Sequence, residues 1–194
     1  MSKLVLVTGG SRSGKSDFAE QYVLHSSPKC AYIATAEILD DEMAERVRLH
    51  QKRRANGRWI NFEAPYEAEK VLENLPAEVD AALFDCLTMY MSNLFYGKDA
   101  VQGDFLTRCN AVFAKIDLLL HAARESNKTI VFVTNEVGSG IVPDNQMARE
   151  YRDLSGWVNQ RVAAACDQVF LTICGQAVDV KKLAYKFEDE VEDV

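Results

Sequence analysis

The sequence predicts an α/β fold: a mostly parallel sheet with helices on both faces. It is read as a single domain over residues 1–180, with an acidic tail over 181–194. Two observations carry that expectation. Short β-branched or aliphatic runs alternate with longer helical patterns, the order that parallel strands need for their crossovers. A glycine-rich stretch also separates the first strand run from the first helical run.

The elements follow in order. "KLVLVT" (3–8) reads as a strand and "KSDFAEQYVLH" (15–25) as a helix. "CAYIAT" (30–35) is a strand. "DDEMAERVRLHQKRR" (40–54) is a helix with its acids first and its bases last, which suits the helix dipole. "RWINFE" (58–63) is a short edge strand. "AALFD" (81–85), "TIVFVT" (129–134) and "QVFLTI" (168–173) have the unbroken apolar character of strands buried on both faces. Helical patterns fill 103–125 and 144–166. "KFEDEVEDV" closes the chain as a frayed tail.

The 194 residues, 48% of them hydrophobic, are enough for one well-buried core. A net charge of -7 argues against nucleic acid, whose binders carry a basic face. The five cysteines (Cys30, Cys86, Cys109, Cys166 and Cys174) are scattered and lack C-x-x-C spacing, which fits a reducing cytoplasm. "LVLVT" is too short for a signal h-region, and no run approaches the roughly 20 apolar residues of a membrane span. The expectation is a cytoplasmic protein with no membrane insertion.

"GGSRSGKS" fits G-x-x-x-x-G-K-[ST] across Gly9, Gly10, Ser11, Arg12, Ser13, Gly14, Lys15 and Ser16. It follows a predicted strand and opens a predicted helix, the setting of a phosphate-binding loop. Its backbone N–H groups and the helix N-terminus would cradle phosphates. Lys15 would reach the β- and γ-phosphates, and Ser16 would ligate Mg²⁺. Asp85, at the end of "AALFD", would be a carboxylate holding Mg²⁺ through water. The bland alternatives are a glycine-rich turn and an ordinary strand-end aspartate. A nucleoside triphosphate site alone leaves kinases, GTPases, motors and non-catalytic regulators open.

"RVRLHQKRR" (46–54) gathers bases around one imidazole in an acidic chain. On a helix, Arg46, His50, Arg53 and Arg54 share a face. Guanidinium groups there would disfavour the protonated imidazole and hold triphosphate oxygens. That suits attack of His50 on phosphorus. Spacing alone favours the blander reading, a solvated basic face with an idle histidine.

The chain resembles the bifunctional adenosylcobinamide kinase / adenosylcobinamide-phosphate guanylyltransferase family. The resemblance runs from about residue 3 to about residue 175. It rests on "VTGGSRSGKS" (7–16), "YIATAEILDDEMAERVRLH" (32–50), Arg53 and Arg54, Trp59, Glu63, "DCLTMYMSNL" (85–94), "VTNEVGSGIVP" (133–143) and "REYRDLSGWVNQRVAAACDQVFL" (149–171). It implies a RecA-like P-loop fold, a homotrimer, and two reactions. Adenosylcobinamide is phosphorylated by ATP or GTP. GTP then guanylylates a histidine, which passes GMP to adenosylcobinamide phosphate to give adenosylcobinamide-GDP. The resemblance makes His50 that nucleophile beside Lys15. It brings Thr35, Ala36 and Glu37 to the guanine nucleotide, lines the phosphates with Gln51, Lys52, Arg53 and Arg54, and completes the site with Glu63 and Asp85.

Two departures stand out. Gln51 replaces a base expected in many relatives, and Asp85 is one methylene shorter than the glutamate some use. Asn135 and Glu136 either contact the corrinoid arm or brace their loop. The apolar "LTMYMSNLF" (87–95) suits a trimer contact or a buried helix. The rival readings are a monofunctional P-loop small-molecule kinase and a nucleotide-binding regulator.

Overall fold

A computed structural model of the protein describes residues 2–37 and 57–185. The helix expected over 40–54, with His50, Gln51, Lys52, Arg53 and Arg54, lies outside the described residues, as do the last nine residues of the tail.

The elements are β1 (Lys3–Gly9), α1 (Lys15–Ser26), β2 (Cys30–Ala34), β3 (Trp59–Glu63), α2 (Ala68–Glu73), β4 (Ala81–Asp85), α3 (Leu87–Tyr96), α4 (Phe105–Glu125), β5 (Thr129–Asn135), α5 (Gln146–Ala165), β6 (Gln168–Ile173), β7 (Gln176–Asp179) and α6 (Val180–Leu183). The strands form one sheet in the order β3-β2-β4-β5-β1-β6-β7. All neighbours pair parallel except β6 and β7, which form an antiparallel hairpin. One strand, β5, lies between β1 and β4, the strands bearing the glycine-rich loop and Asp85.

Alternate residues of each inner strand feed two cores, as the period of two requires. Leu4, Leu6, Ile33, Phe84, Ile130 and Phe132 pack on one face against α2, α3, α4 and α5. Val5, Val7, Tyr32, Leu83, Val131 and Val133 pack on the other against Ala19 and Val23 of α1. "LTMYMSNLF" is a buried helix: Tyr90, Met91 and Phe95 of α3 lie within the first core.

Helix α1 starts at Lys15 as expected, whereas α4 and α5 start two residues later than expected, and caps explain why. The Asp104 side chain accepts the Thr107 N–H, and the Asn145 side chain accepts the Ala148 N–H. Both cap residues are extended, so α4 and α5 begin just after them. The short elements α2, β7 and α6 were not expected. The boundary expected after residue 180 cuts α6, whose Val180 packs on the core and whose Lys181 donates to the Cys166 carbonyl.

Parallel strands deliver their carboxyl ends to one edge. The register pairs Gly9 with both Asn135 and Thr172, and Ala34 with both Asp85 and Glu63. The glycine-rich loop, Asp85, Glu63 and the loop after β5 therefore share that edge, where open α/β sheets bind ligands.

Candidate active site

The loop between β1 and α1 folds tightly because its sequence lets it. A Cβ at Gly9 would stand 2.4 Å from Thr172 Oγ1 and 2.5 Å from Ser13 Oγ. Gly14 has φ of 96°, a left-handed angle that favours glycine. Inside the turn, the Ser13 N–H donates to the Gly10 carbonyl at 3.3 Å, and Ser13 Oγ lies 2.8 Å from Thr172 Oγ1. The Gly175 N–H donates to the Ser13 carbonyl at 2.9 Å, so the β6–β7 turn braces the loop from behind. Lys15 folds back, its Nζ donating to the Gly10 carbonyl at 3.1 Å. The result is a shallow cavity of about 300 Å³ lined by Arg12, Ser13, Gly14, Lys15, Ser16 and Asp17.

Asp85 ends β4 two strands from β1, about 10 Å at ordinary strand spacing. It follows Leu83 by two residues, so it lies on the sheet face that α1 covers. Ser16 stands in the first turn of α1. The two metal candidates thus lie toward one face of one edge. Their chemistry, a hydroxyl and a carboxylate, fits Mg²⁺ held mainly by nucleotide phosphates. Among the described residues no group of three or more His, Cys, Asp or Glu side chains could hold a metal. A metal carried in by a nucleotide needs no such group.

The segment after β2 begins with a residue held inside the fold. Thr35 is fully buried. Its hydroxyl accepts the Cys86 N–H and donates to the Cys86 carbonyl, both at 2.7 Å. Its N–H donates to the Asp85 carbonyl at 3.1 Å. Asn93 of α3 donates its side-chain N–H groups to the Thr35 and Pro65 carbonyls. Thr35 therefore clamps the end of β2 to the end of β4. Ala36 and Glu37 follow it, and Glu37 Oε2 accepts the Tyr66 hydroxyl at 3.1 Å. Glu63 is exposed on β3, four strands from β1. At ordinary spacing that is about 19 Å, so Glu63 stands well apart from the glycine-rich loop.

Cys86 adjoins Asp85. Burial first, then the Asp85 carboxylate, pushes its thiol up to about 11. At neutral pH it stays protonated and does not compete as a nucleophile.

The loop after β5 is braced through Glu136. Its carboxylate accepts the Gly138 and Ser139 N–H groups at 2.7 and 3.2 Å. Its own N–H donates to the Gly9 carbonyl. Arg152 donates to the Gly138 carbonyl, and Arg149 to the Pro143 and Asp144 carbonyls.

Three side chains at this edge were not singled out from sequence: Tyr32, Asn93 and Thr172. Each has partners 50 or more residues away, and no local spacing signals such a pairing.

A family model described as cobinamide kinase / cobinamide phosphate guanyltransferase matches residues 5–180. The bifunctional adenosylcobalamin biosynthesis protein CobU of Salmonella typhimurium is 41% identical over 182 residues, covering 92% of this chain and 99% of that protein. The bifunctional adenosylcobalamin biosynthesis protein CobP of Pseudomonas aeruginosa is 34% identical over 176 residues, covering 91% and 96%. A solved KaiC-like protein from Pyrococcus horikoshii aligns over 87% of this chain and 70% of its own, at 13% identity and a TM-score of 0.49.

Proposed function

The chain belongs to the cobinamide kinase / cobinamide phosphate guanyltransferase family, and from that premise we propose which residues carry each reaction. The enzyme phosphorylates cobinamide and then transfers a guanylyl group to cobinamide phosphate. The finer reading takes adenosylcobinamide as the corrinoid and GTP or ATP as the phosphate donor.

In the kinase step, the glycine-rich loop holds the triphosphate and Lys15 moves from the Gly10 carbonyl onto the β- and γ-oxygens. The substrate hydroxyl oxygen attacks the γ-phosphorus and releases its proton to solvent. The bond to the β–γ bridging oxygen breaks, and the nucleoside diphosphate leaves with its electron pair. Ser16 and Asp85 would hold Mg²⁺, which, when bound, neutralises phosphate charge.

In the guanylyl step, an imidazole nitrogen of His50 attacks the α-phosphorus of GTP and pyrophosphate leaves. A phosphate oxygen of the corrinoid phosphate then attacks that phosphorus. The P–N bond breaks and the imidazole is restored. Lys52, Arg53 and Arg54 would neutralise the triphosphate, with Gln51 as a neutral donor beside them. Glu37, after β2, and Glu63, four strands from β1, are proposed to meet the N–H donors of guanine. Thr35 and Ala36 shape that end through the backbone.

The observation carrying this reading is the pairing of a closed glycine-rich loop with Asp85 on the same sheet face. The test uses GTP labelled at the α-phosphate. Wild type should take acid-labile, alkali-stable label, and His50→Ala none, while His50→Ala still phosphorylates cobinamide. Label retained by His50→Ala would overturn the assignment.

We also propose a cytoplasmic homotrimer. Among the described residues no helix is long and apolar enough to cross a membrane. Leu106 and Trp157, 63% and 40% exposed on α4 and α5, line an apolar hollow that a neighbouring copy would cover.

A further inference from the structure

Asp85 is held in place by more than its strand. Tyr32, two residues before the end of β2, reaches across to β4 and donates its hydroxyl to Asp85 Oδ2 at 3.0 Å. The tyrosine is only 7% exposed and stands edge-on to Trp59, ring centroids 6.4 Å apart at 90°. Its ring lies in the core under α1 while its hydroxyl reaches the active edge. The backbone below Asp85 is fixed as well, by the Thr35 N–H on the Asp85 carbonyl and the Thr35 hydroxyl on both sides of Cys86.

A carboxylate needs such help. The last torsion of aspartate is broad and roughly two-fold, so the backbone alone does not decide where its oxygens point. A donor on one oxygen sets the plane of the group and leaves the other oxygen for a ligand. Partners of this kind tune a ligand's orientation and affinity without touching the metal themselves. We propose that Tyr32 is a positioning residue: its hydroxyl aims the Asp85 carboxylate at the metal–nucleotide complex bound in the glycine-rich loop. This rests on the reading of Asp85 as the metal carboxylate. The nucleotide brings most of the metal's ligands, so the protein's share falls on few side chains and a misdirected carboxylate is not easily replaced.

The alternative is that Tyr32 simply fills the core. Tyr32→Phe separates the two, because it keeps the ring and removes only the hydroxyl. The experiment titrates Mn²⁺ into wild type, Tyr32→Phe and Asp85→Asn, each with a non-hydrolysable GTP analogue, and reads bound metal by electron paramagnetic resonance. Melting temperature, metal-free analogue affinity and cobinamide kinase kinetics accompany it. Tyr32→Phe should weaken Mn²⁺ binding about 10-fold and lower kcat by a similar factor. Its melting temperature and metal-free analogue affinity should match wild type. Wild-type metal affinity in Tyr32→Phe, with a loss in Asp85→Asn, would overturn the role of Tyr32 alone. No loss in Asp85→Asn would overturn the reading of Asp85 and the inference with it. A loss in Tyr32→Phe that falls equally on metal-free analogue binding and melting temperature would make the residue structural.

Discussion

At the scale of single residues, Thr35 shows how a buried side chain can hold the edge of a sheet together through backbone groups. Its hydroxyl is committed to the N–H and carbonyl of Cys86, in a place water does not reach. Thr35→Val keeps the shape but leaves those two backbone groups without that partner. An unsatisfied buried polar group costs about 1–3 kcal/mol, so urea denaturation should show a loss of that order. Thr35→Ser should recover most of it. A Thr35→Val variant as stable as wild type would show that the clamp does not hold the strands together. The glycine-rich loop was legible in sequence because its geometry demands particular residues: Gly9 has no room for a Cβ, and Gly14 takes a left-handed angle. The Thr35 clamp was not legible, since its partner lies 51 residues on. Tyr32 was hidden for a different reason. In a strand pattern a tyrosine among aliphatics reads as core, and its ring is core; only the hydroxyl does something else. His50 carries a face of bases whose chemistry is ambiguous from spacing alone, so the resemblance rather than the spacing singled it out.

At the scale of elements, what sequence reveals depends on how much of an element is repetitive. The inner strands, buried on both faces, were plain as aliphatic runs. The hairpin strand β7 is four residues, half of them exposed, and carries no period long enough to read. The starts of α4 and α5 were misplaced by two residues because the expected ranges included the cap and the residue before it. The caps are testable in their own right. Asn145→Ala removes the side-chain acceptor for the Ala148 N–H at the head of α5. It should cost about 1 kcal/mol, or roughly 2–4 °C of melting temperature in a chain of this size. The kinase reaction should be untouched if α5 only supports the sheet. Gly9→Ala tests the other end of the scale. Its new Cβ would meet Thr172 Oγ1, Ser13 Oγ and the Thr172 carbonyl, all closer than 2.7 Å. Because one of these is backbone, the loop must shift. Nucleotide affinity, measured by equilibrium binding, should fall far more than melting temperature. Wild-type affinity would mean the loop tolerates a displaced β6.

At the scale of the whole molecule, two things follow: how copies associate and what joins the ends of the chain. A homotrimer predicts a light-scattering mass three times the 21.7 kDa of the chain. Trp157→Glu, on the apolar hollow of α4 and α5, should lower that mass; a monomeric wild type would overturn the trimer. Within one chain, Asp167 gathers three distant segments. Its carboxylate accepts the Leu4 N–H at 2.7 Å and the Arg124 guanidinium at 3.0 Å. Arg124 in turn donates to the carbonyls of Ser2 and Ala165. Burial opposes the charge on Asp167, but the Leu4 amide and Arg124 outweigh it and hold the carboxyl below its ordinary range. An unfolded aspartate titrates near its usual value of about 3.9. Between the two values the unfolded state binds more protons, so stability rises with pH there. This contribution is fully present above about pH 4 and is lost as pH falls through the depressed folded value. Asp167→Asn should therefore melt below wild type at neutral pH, with the gap closing in acid. Other carboxylates with lowered values, such as Asp104, titrate in both proteins and cancel in the comparison. Melting curves of the pair from pH 7 to pH 2 check this. A gap that stays constant to the acid end would mean that Asp167 joins the segments through hydrogen bonding that needs no charge, and that the Arg124 ion pair, half in solvent, contributes little.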